Sequence, residues 1–255
     1  MAIASIIKQL CGIIILSSRD PLNGGAAFVN PLQLVTEEEK MLFEQGEINK
    51  IQRQNVSQDA DFKTMPDAEE QKMVHHHFLE RRIQRLVRPV RKENTVWMQD
   101  AKFKNLIVCH PEHRNIFGYI FGGFIMRQAY ELAWANAFTF SKARPICTNM
   151  GKILFRAPVA IGSLLYFNSQ ISYTQTCRPD ETRYERNREH DYHFVQTMVT
   201  AEVVDPNTGD LTMTNVFNFT FMIEDKEPPS VMPFSYHEAM VYLNGRRLFK
   251  ATTGL

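Results

Sequence analysis

The sequence predicts an α+β fold in which a strongly curved antiparallel sheet wraps one long helix. Three observations carry this. Residues 124–140 lack proline and glycine and are apolar around most of a helical circumference. The segments that follow alternate apolar and polar residues with a period of two. No strand–helix–strand alternation occurs, and neither does GxGxxG or GxxxxGK followed by Ser or Thr, so a doubly wound nucleotide-binding sheet is excluded.

The composition agrees. The chain has 255 residues, of which 44% are hydrophobic and 22% charged. That balance excludes collagen, a disulfide scaffold and a wholly disordered chain. With 29 basic and 28 acidic side chains, the net charge of +1 gives no global attraction to nucleic acid or an anionic membrane. Cys11, Cys109, Cys147 and Cys177 show no CxxC spacing, so they signal neither a zinc ribbon nor a thioredoxin-type site. Scattered thiols fit a reducing compartment.

The first residues, 2–16, are largely apolar and carry Lys8 as their one charge. The run falls short of the roughly 20 residues a membrane span needs. Lys8 lies late for a signal peptide, no small-x-small cleavage site follows, and a mitochondrial leader would hold more arginine. A signal peptide, with Lys8 before an apolar run, and a buried strand at 13–16 both stay open at this point, and the resemblance given below favours the strand. Pro21, Gly24, Gly25 and Pro31 mark a linker at 20–31.

Thr36 and Glu39 form a capping box, which predicts a helix to about Gln54, weakened at Gly46. Residues 55–66 read as a polar loop, and Pro66-Asp67 opens a second helix to about Leu86. His75, His76 and His77 lie on it, but neighbours on a helix point about 100° apart and cannot converge on one metal. They read as surface or interface histidines. Arg81, Arg82, Arg85, Arg88, Arg91 and Lys92 read as a solvated face, because no aromatic residues or glycines interleave them for nucleic acid.

Strand character appears at Val96, Trp97 and 106–108, and a turn at 118–123. After the long helix, strands are expected at 146–155, 163–175, 193–204 and 211–223. Leu165, Phe167, Ile171 and Tyr173 should share one face of their strand. In the last strand Leu211, Met213, Phe217, Phe219, Phe221 and Ile223 are all odd-numbered and predict one buried face.

The chemistry concentrates at Asn115-Ile116-Phe117-Gly118-Tyr119-Ile120-Phe121-Gly122-Gly123. Paired glycines at a helix start let a ligand approach the backbone. The first helical amides are unpaired and sit at the positive end of the dipole. Such donors can hold a carbonyl oxygen as it gains negative charge. The same glycines can equally serve close helix–strand packing.

Asn115-x-x-Gly118-x-Ile120-Phe121-Gly122-Gly123 resembles the entrance to the central helix of hotdog-fold acyl-CoA thioesterases. Phe155-x-x-Pro158-Val159-x-x-Gly162 resembles the second fingerprint of that fold. Further segments are similar to the mitochondrial acyl-CoA thioesterase 9 type: Asn30-Pro31-Leu32, Val96-Trp97-Met98, Arg114-Asn115-Ile116-Phe117, Met126-Arg127-x-Ala129-Tyr130-Glu131-Leu132 and Thr214-Asn215-Val216-Phe217. The resemblance covers about residues 12–250.

It implies two hotdog domains in tandem, of which this chain looks like the second. Residues 1–34 would be the stub of a first domain and its linker, 35–93 a helical inter-domain segment, 94–225 the hotdog domain and 226–255 a C-terminal extension. A truncated product or incomplete gene model is a further expectation from the same likeness. The resemblance also implies a composite site that hydrolyses fatty acyl-CoA. One domain supplies an asparagine, matched by Asn115, and the other an aspartate from its helix. Here the aspartate's place is held by Tyr130, which is no base at neutral pH. The acid is therefore expected from the missing domain, and pairing is expected with a second hotdog domain or a second copy of the chain.

By this likeness Asn115 and Gly123 are the catalytic candidates. Gly122 and Gly123 are the oxyanion donors, and Tyr130, Thr148 and Asn149 contact substrate. No cofactor or metal is expected, because the substrate carries the CoA, and neither nucleic acid nor a membrane span is. Mitochondrial matrix is the implied location. Arg178, Arg183, Arg186 and Arg188 lie where the family has a tight connection and read as a solvated loop rather than a CoA phosphate clamp. A non-catalytic acyl-CoA-binding or dimerisation module is the alternative. A hydratase is disfavoured because no aspartate lies at the helix entrance.

Overall fold

The computed structural model describes residues 25, 27–55, 65–86, 94–151, 153, 155–177, 191–205, 207–224 and 226–253. The expected strand at 13–16, most of the loop at 55–66 and the arginines of 178–188 lie outside the described residues. Two compact units are present, 1–60 and 61–255.

The first unit contributes helix α1, Glu37–Asn55. Its capping box is closed. Thr36 Oγ1 accepts from the Glu39 amide at 3.2 Å, and the Glu39 carboxylate accepts from the Thr36 and Val35 amides at 2.9 and 2.8 Å. Those backbone donors hold the Glu39 carboxyl below its ordinary value.

The second unit opens with α2, Ala68–Leu86, followed by the short strand β1, Thr95–Trp97. The main sheet is antiparallel. Its strands are β2 (Lys102–Val108), β3 (Ile146–Met150), β4 (Leu164–Cys177), β5 (Tyr192–Val204) and β6 (Leu211–Ile223), in the order β2-β4-β5-β6-β3. Helix α3, Gly122–Ser141, packs on β2, β4, β5 and β6. A last strand, β7 (Ser230–Met232), pairs in parallel with β1, and α4 (Tyr236–Thr253) packs on β4 and β5.

Alanines explain the fit of α3. Ala129, Ala133 and Ala137 are fully buried beside Ile125, and recur every four residues, so the helix lies close on the sheet. Asn136 is buried among them, and its amide donates to Ala101 O and Ser169 Oγ at 3.3 and 3.0 Å. An apolar circumference predicted burial all round, but only one face of α3 is buried. Phe124, Met126, Tyr130, Leu132 and Trp134 are partly covered, and Phe138 is 44% exposed.

Three bulges correct the strand expectations. In β4 the ladder shifts between Ile171 and Tyr173, so Ser172 is an extra residue and the side-chain parity reverses. Leu165, Phe167 and Ile171 stay in the core with α3, whereas Tyr173 joins Phe249 and Tyr242 beneath α4, with ring centroids 5.8 and 5.1 Å away. In β6 the shift leaves Thr214 as the extra residue, so Phe217, Phe219, Phe221 and Ile223 are buried but Leu211 is 51% exposed. β3 bulges at Thr148 and ends at Met150, not 155. Beyond it, Gly151 N donates to Asn218 O and Arg156 N to Thr214 O.

Among the described residues no helix is long and apolar enough to cross a membrane, and no His, Cys, Asp and Glu side chains group to hold a metal ion. Of the three histidines, His77 packs edge-on against Tyr242 at 5.2 Å.

Candidate active site

The chain reaches α3 through a short loop that Asn115 builds. Asn115 Oδ1 accepts from the amides of Phe117 and Tyr119 at 2.9 and 3.2 Å. The Asn115 amide donates to Tyr119 O, and Gly118 N donates to Asn115 O. Gly118 has φ +79°, the left-handed conformation that favours glycine. With its oxygen committed to the loop, Asn115 keeps its Nδ2 donor unpartnered among the described residues.

The two glycine-bearing motifs meet here. Ile120 N donates to Val159 O at 2.9 Å, and Tyr119 bridges to Ala160. Gly162, with φ +82°, donates to Cys109 O at 2.7 Å, while Cys109 N donates to Ser163 O. The Phe155–Gly162 stretch therefore braces the loop from which α3 starts.

Phe121 caps α3 through its backbone alone. Its carbonyl accepts from Phe124 and Ile125, and its side chain makes no cap bond. The amides of Gly122 and Gly123 have no partner among the described residues. Both glycines are also needed for packing. A Cβ on Gly122 would stand 2.8 Å from the Phe155 ring, and one on Gly123 would meet the Phe121 ring. The rings approach this closely because side chains are absent, which bears out the close-packing reading of these glycines.

Two turns into α3, Tyr130 lays its ring against Phe219 and Phe221, with centroids 5.7 and 6.1 Å away. Burial, and then the neighbouring Cys147, raise its phenol above the ordinary value. Burial pushes the Cys147 thiol up to about 11, so at neutral pH it is a thiol and not a nucleophilic thiolate. Its Sγ contacts Asn149 O at 3.7 Å, and Thr148 Oγ1 donates to Thr220 O at 3.2 Å. Tyr130 and Cys147 are thus brought together, with Thr148 and Asn149 beside Cys147 on β3. Asn115, Gly122 and Gly123 gather at the helix entrance. Glu131 turns away to the exposed side, where Arg127 Nε and Gln128 Nε2 donate to it at 2.8 and 3.3 Å.

Sequence reasoning gave no role to Phe121, Phe155 or Cys147. Phe155 and Phe121 stand inside the two motifs, three residues before Pro158 and next to Gly122, which was the available signal. Cys147 carried none, because its place beside Tyr130 depends on how β3 pairs with β6.

No family model matches the chain. Acyl-coenzyme A thioesterase 9, mitochondrial, of Homo sapiens is 42% identical over 243 residues, which is 94% of this chain and 52% of that protein. Acyl-coenzyme A thioesterase 10, mitochondrial, of Mus musculus is 40% identical over 240 residues, 93% of this chain and 51% of that protein. Over nearly its whole length the chain is therefore similar to these two acyl-CoA thioesterases. It spans about half the length of the curated relatives it matches. An acyl-CoA hydrolase from Staphylococcus aureus, solved with butyryl coenzyme A and coenzyme A, superposes with a TM-score of 0.53. The match is 17% identical and covers 62% of this chain and 90% of that one. The likeness establishes the architecture, which is the hotdog fold.

Proposed function

We propose that this hotdog domain hydrolyses fatty acyl-CoA to a free fatty acid and CoA, as one half of a composite two-domain site. The observation that carries this is the set of unpaired donors at the start of α3: Gly122 N–H, Gly123 N–H and Asn115 Nδ2. They lie within the segment that resembles the helix entrance of hotdog-fold thioesterases.

The thioester carbonyl oxygen sits against these donors. Water attacks the carbonyl carbon, and the oxygen becomes an anion stabilised by the amides and the helix dipole. A base takes the proton from the attacking water and returns it to the CoA sulfur as the carbon–sulfur bond breaks. Asn115 cannot be that base, because an amide has no useful basicity. Tyr130 and Cys147 both stay protonated, and Glu131 faces away with Arg127. The resemblance implies that the base is an aspartate from the helix of a second hotdog domain, which a second copy of this chain would not supply, since it carries Tyr130 at that place. That aspartate can alternatively attack directly, giving an anhydride that water then opens. Tyr130, Thr148 and Asn149 line the substrate side of β3. The reaction needs no cofactor, since CoA arrives with the substrate, and the relatives' names place the activity in mitochondria.

A second reading is favoured by one residue. Tyr130 occupies the acid's place and is held as a neutral phenol, as in an acyl-CoA-binding module without catalysis. One assay separates the two. CoA release is followed for the chain alone and for the chain combined with the half of the human relative that it does not match. Hydrolysis predicts turnover in the combination and a rate lower by roughly 10²-fold or more alone, the usual worth of a general base. Binding of acyl-CoA without turnover in either case supports the module. A full rate for the chain alone, abolished by Glu131→Gln, would sink the composite site.

A further inference from the structure

The unpaired amides lie in an aromatic frame. Cε1 and Cζ of Phe155 stand 2.8 Å from where a Gly122 Cβ would be, and Cζ of Phe121 stands 2.9 Å from the corresponding point on Gly123. Standard bond lengths then put the Phe155 ring edge within about 5 Å of the Gly122 nitrogen. An oxygen accepting from that amide lies about 3 Å from the nitrogen. Its carbonyl carbon is roughly 1.2 Å further, and the next acyl carbon about one bond beyond that. The ring edge and that acyl carbon thus both fall within roughly 6 Å of the Gly122 nitrogen.

Phe155 is placed to resist displacement on one side and to face a ligand on the other. Its ring meets Phe217, a fully buried residue of β6, edge-on at 6.5 Å. The rest of the side chain is uncovered, with Phe155 54% exposed. The Phe121 and Phe155 rings give the frame apolar walls, which suit the apolar start of an acyl chain.

Resting on the hydrolase reading above, we propose that Phe155 is a specificity-determining residue. Its ring edge limits the bulk that the acyl group carries on the carbon next to the thioester carbonyl. A straight chain passes the ring, and a methyl branch at that carbon meets it.

The test compares butyryl-CoA with 2-methylpropanoyl-CoA, which have the same atoms arranged straight or branched. The chain in its active assembly is assayed as wild type, Phe155→Ala and Phe155→Trp. The alanine variant should raise the branched-to-straight ratio of kcat/KM about tenfold, a usual size for one methyl group in a hydrophobic pocket. The tryptophan variant keeps an aromatic ring on Phe217 and should lower the ratio. A merely structural role would scale both esters together, so an unmoved ratio in both variants, with turnover retained, overturns this inference alone. Absence of turnover of either ester by the wild-type assembly overturns the hydrolase reading and this inference with it.

Discussion

Helices α3 and α4 flank the same sheet and treat their first turns in opposite ways. α4 is closed. Ser235 Oγ accepts from the Glu238 amide at 3.2 Å, and the Glu238 carboxylate accepts from Phe234 N at 2.8 Å and from Lys102 Nζ at 3.0 Å. Glu238 is 5% exposed, so its charge is buried with partners. α3 has no side-chain cap and no acid in its first turn, and starts on two glycines. A cap is worth about 0.5–2 kcal/mol. α3 forgoes that stabilisation where α4 takes it, and the donors left over are those the proposed reaction would use. The pair separates a helix capped by side chains from one whose first amides have no partner among the described residues.

The comparison is sharpened most by giving α3 the cap it lacks. Phe121→Asp supplies a carboxylate at the N-cap position, where it would accept from the first free amides. Hydrolysis in the active assembly should fall roughly 10²–10³-fold, the worth of one oxyanion donor. The thermal midpoint should hold or rise. A variant that keeps full turnover would show that these amides do not serve the reaction.

Asn115 offers a second, finer cut. Asn115→Asp preserves an oxygen for the Phe117 and Tyr119 amides but removes the Nδ2 donor. It should keep near-wild-type stability while losing a comparable part of kcat, with less effect on KM. Asn115→Ala should lose both. If aspartate and alanine destabilise alike, the loop does not depend on that acceptor oxygen. If aspartate leaves kcat intact, Nδ2 is not a donor to substrate.

On the α4 side the effects should fall on stability alone. A Cβ on Gly245 would stand 2.8 Å from Ser172 Oγ and 3.0 Å from Tyr173 Cβ, at the β4 bulge. Gly245→Val should therefore cost about 1–3 kcal/mol, the usual size of core overpacking. Urea unfolding checks it, and kcat of the folded fraction should stay unchanged. Equal stability of variant and wild type would mean that α4 can lift from the sheet at no cost.

The sequence made helices and strand periods legible because each is written in local spacing. The capping box at Thr36 and Glu39 and the odd-numbered phenylalanines of β6 are examples. The bulges were not legible. Ser172 and Thr214 look like ordinary strand residues, and only the partner strand decides which residue is extra. That is why Tyr173 and Leu211 were expected on faces they do not occupy. That Asn115, Gly122 and Gly123 come together at the start of α3 was legible from their motif. The commitment of Asn115 Oδ1 to its own loop was not, since it depends on the turn at Gly118. The uncovered side of α3 was also hidden, because an apolar stripe reads the same whether it meets its own sheet or another chain.

The smallest expected effect lies where α4 meets α2. Arg247 donates to the Glu70 carboxylate through Nε at 2.8 Å and through its terminal nitrogen, and Glu70 also accepts from the Asp67 amide at 3.0 Å. The hydrogen bonds from Arg247, helped by the Asp67 amide, hold the Glu70 carboxyl below its usual value despite burial. A carboxyl so lowered binds its proton more readily in the unfolded chain than in the folded one. Its stabilisation is then present above the unfolded value of about 4.3 and is lost as pH falls through the lower folded value. Part of the ion pair is solvated, so its worth should be near 1 kcal/mol. Urea midpoints of wild type and Glu70→Gln, taken between about pH 6 and pH 2, read it out. The wild type should be the more stable above pH 5, and the gap should close as Glu70 protonates. Turnover at neutral pH should be equal in the two proteins, since α3 and its free amides lie elsewhere. Parallel curves across the whole range would mean that the clasp between α2 and α4 contributes nothing that protonation can remove.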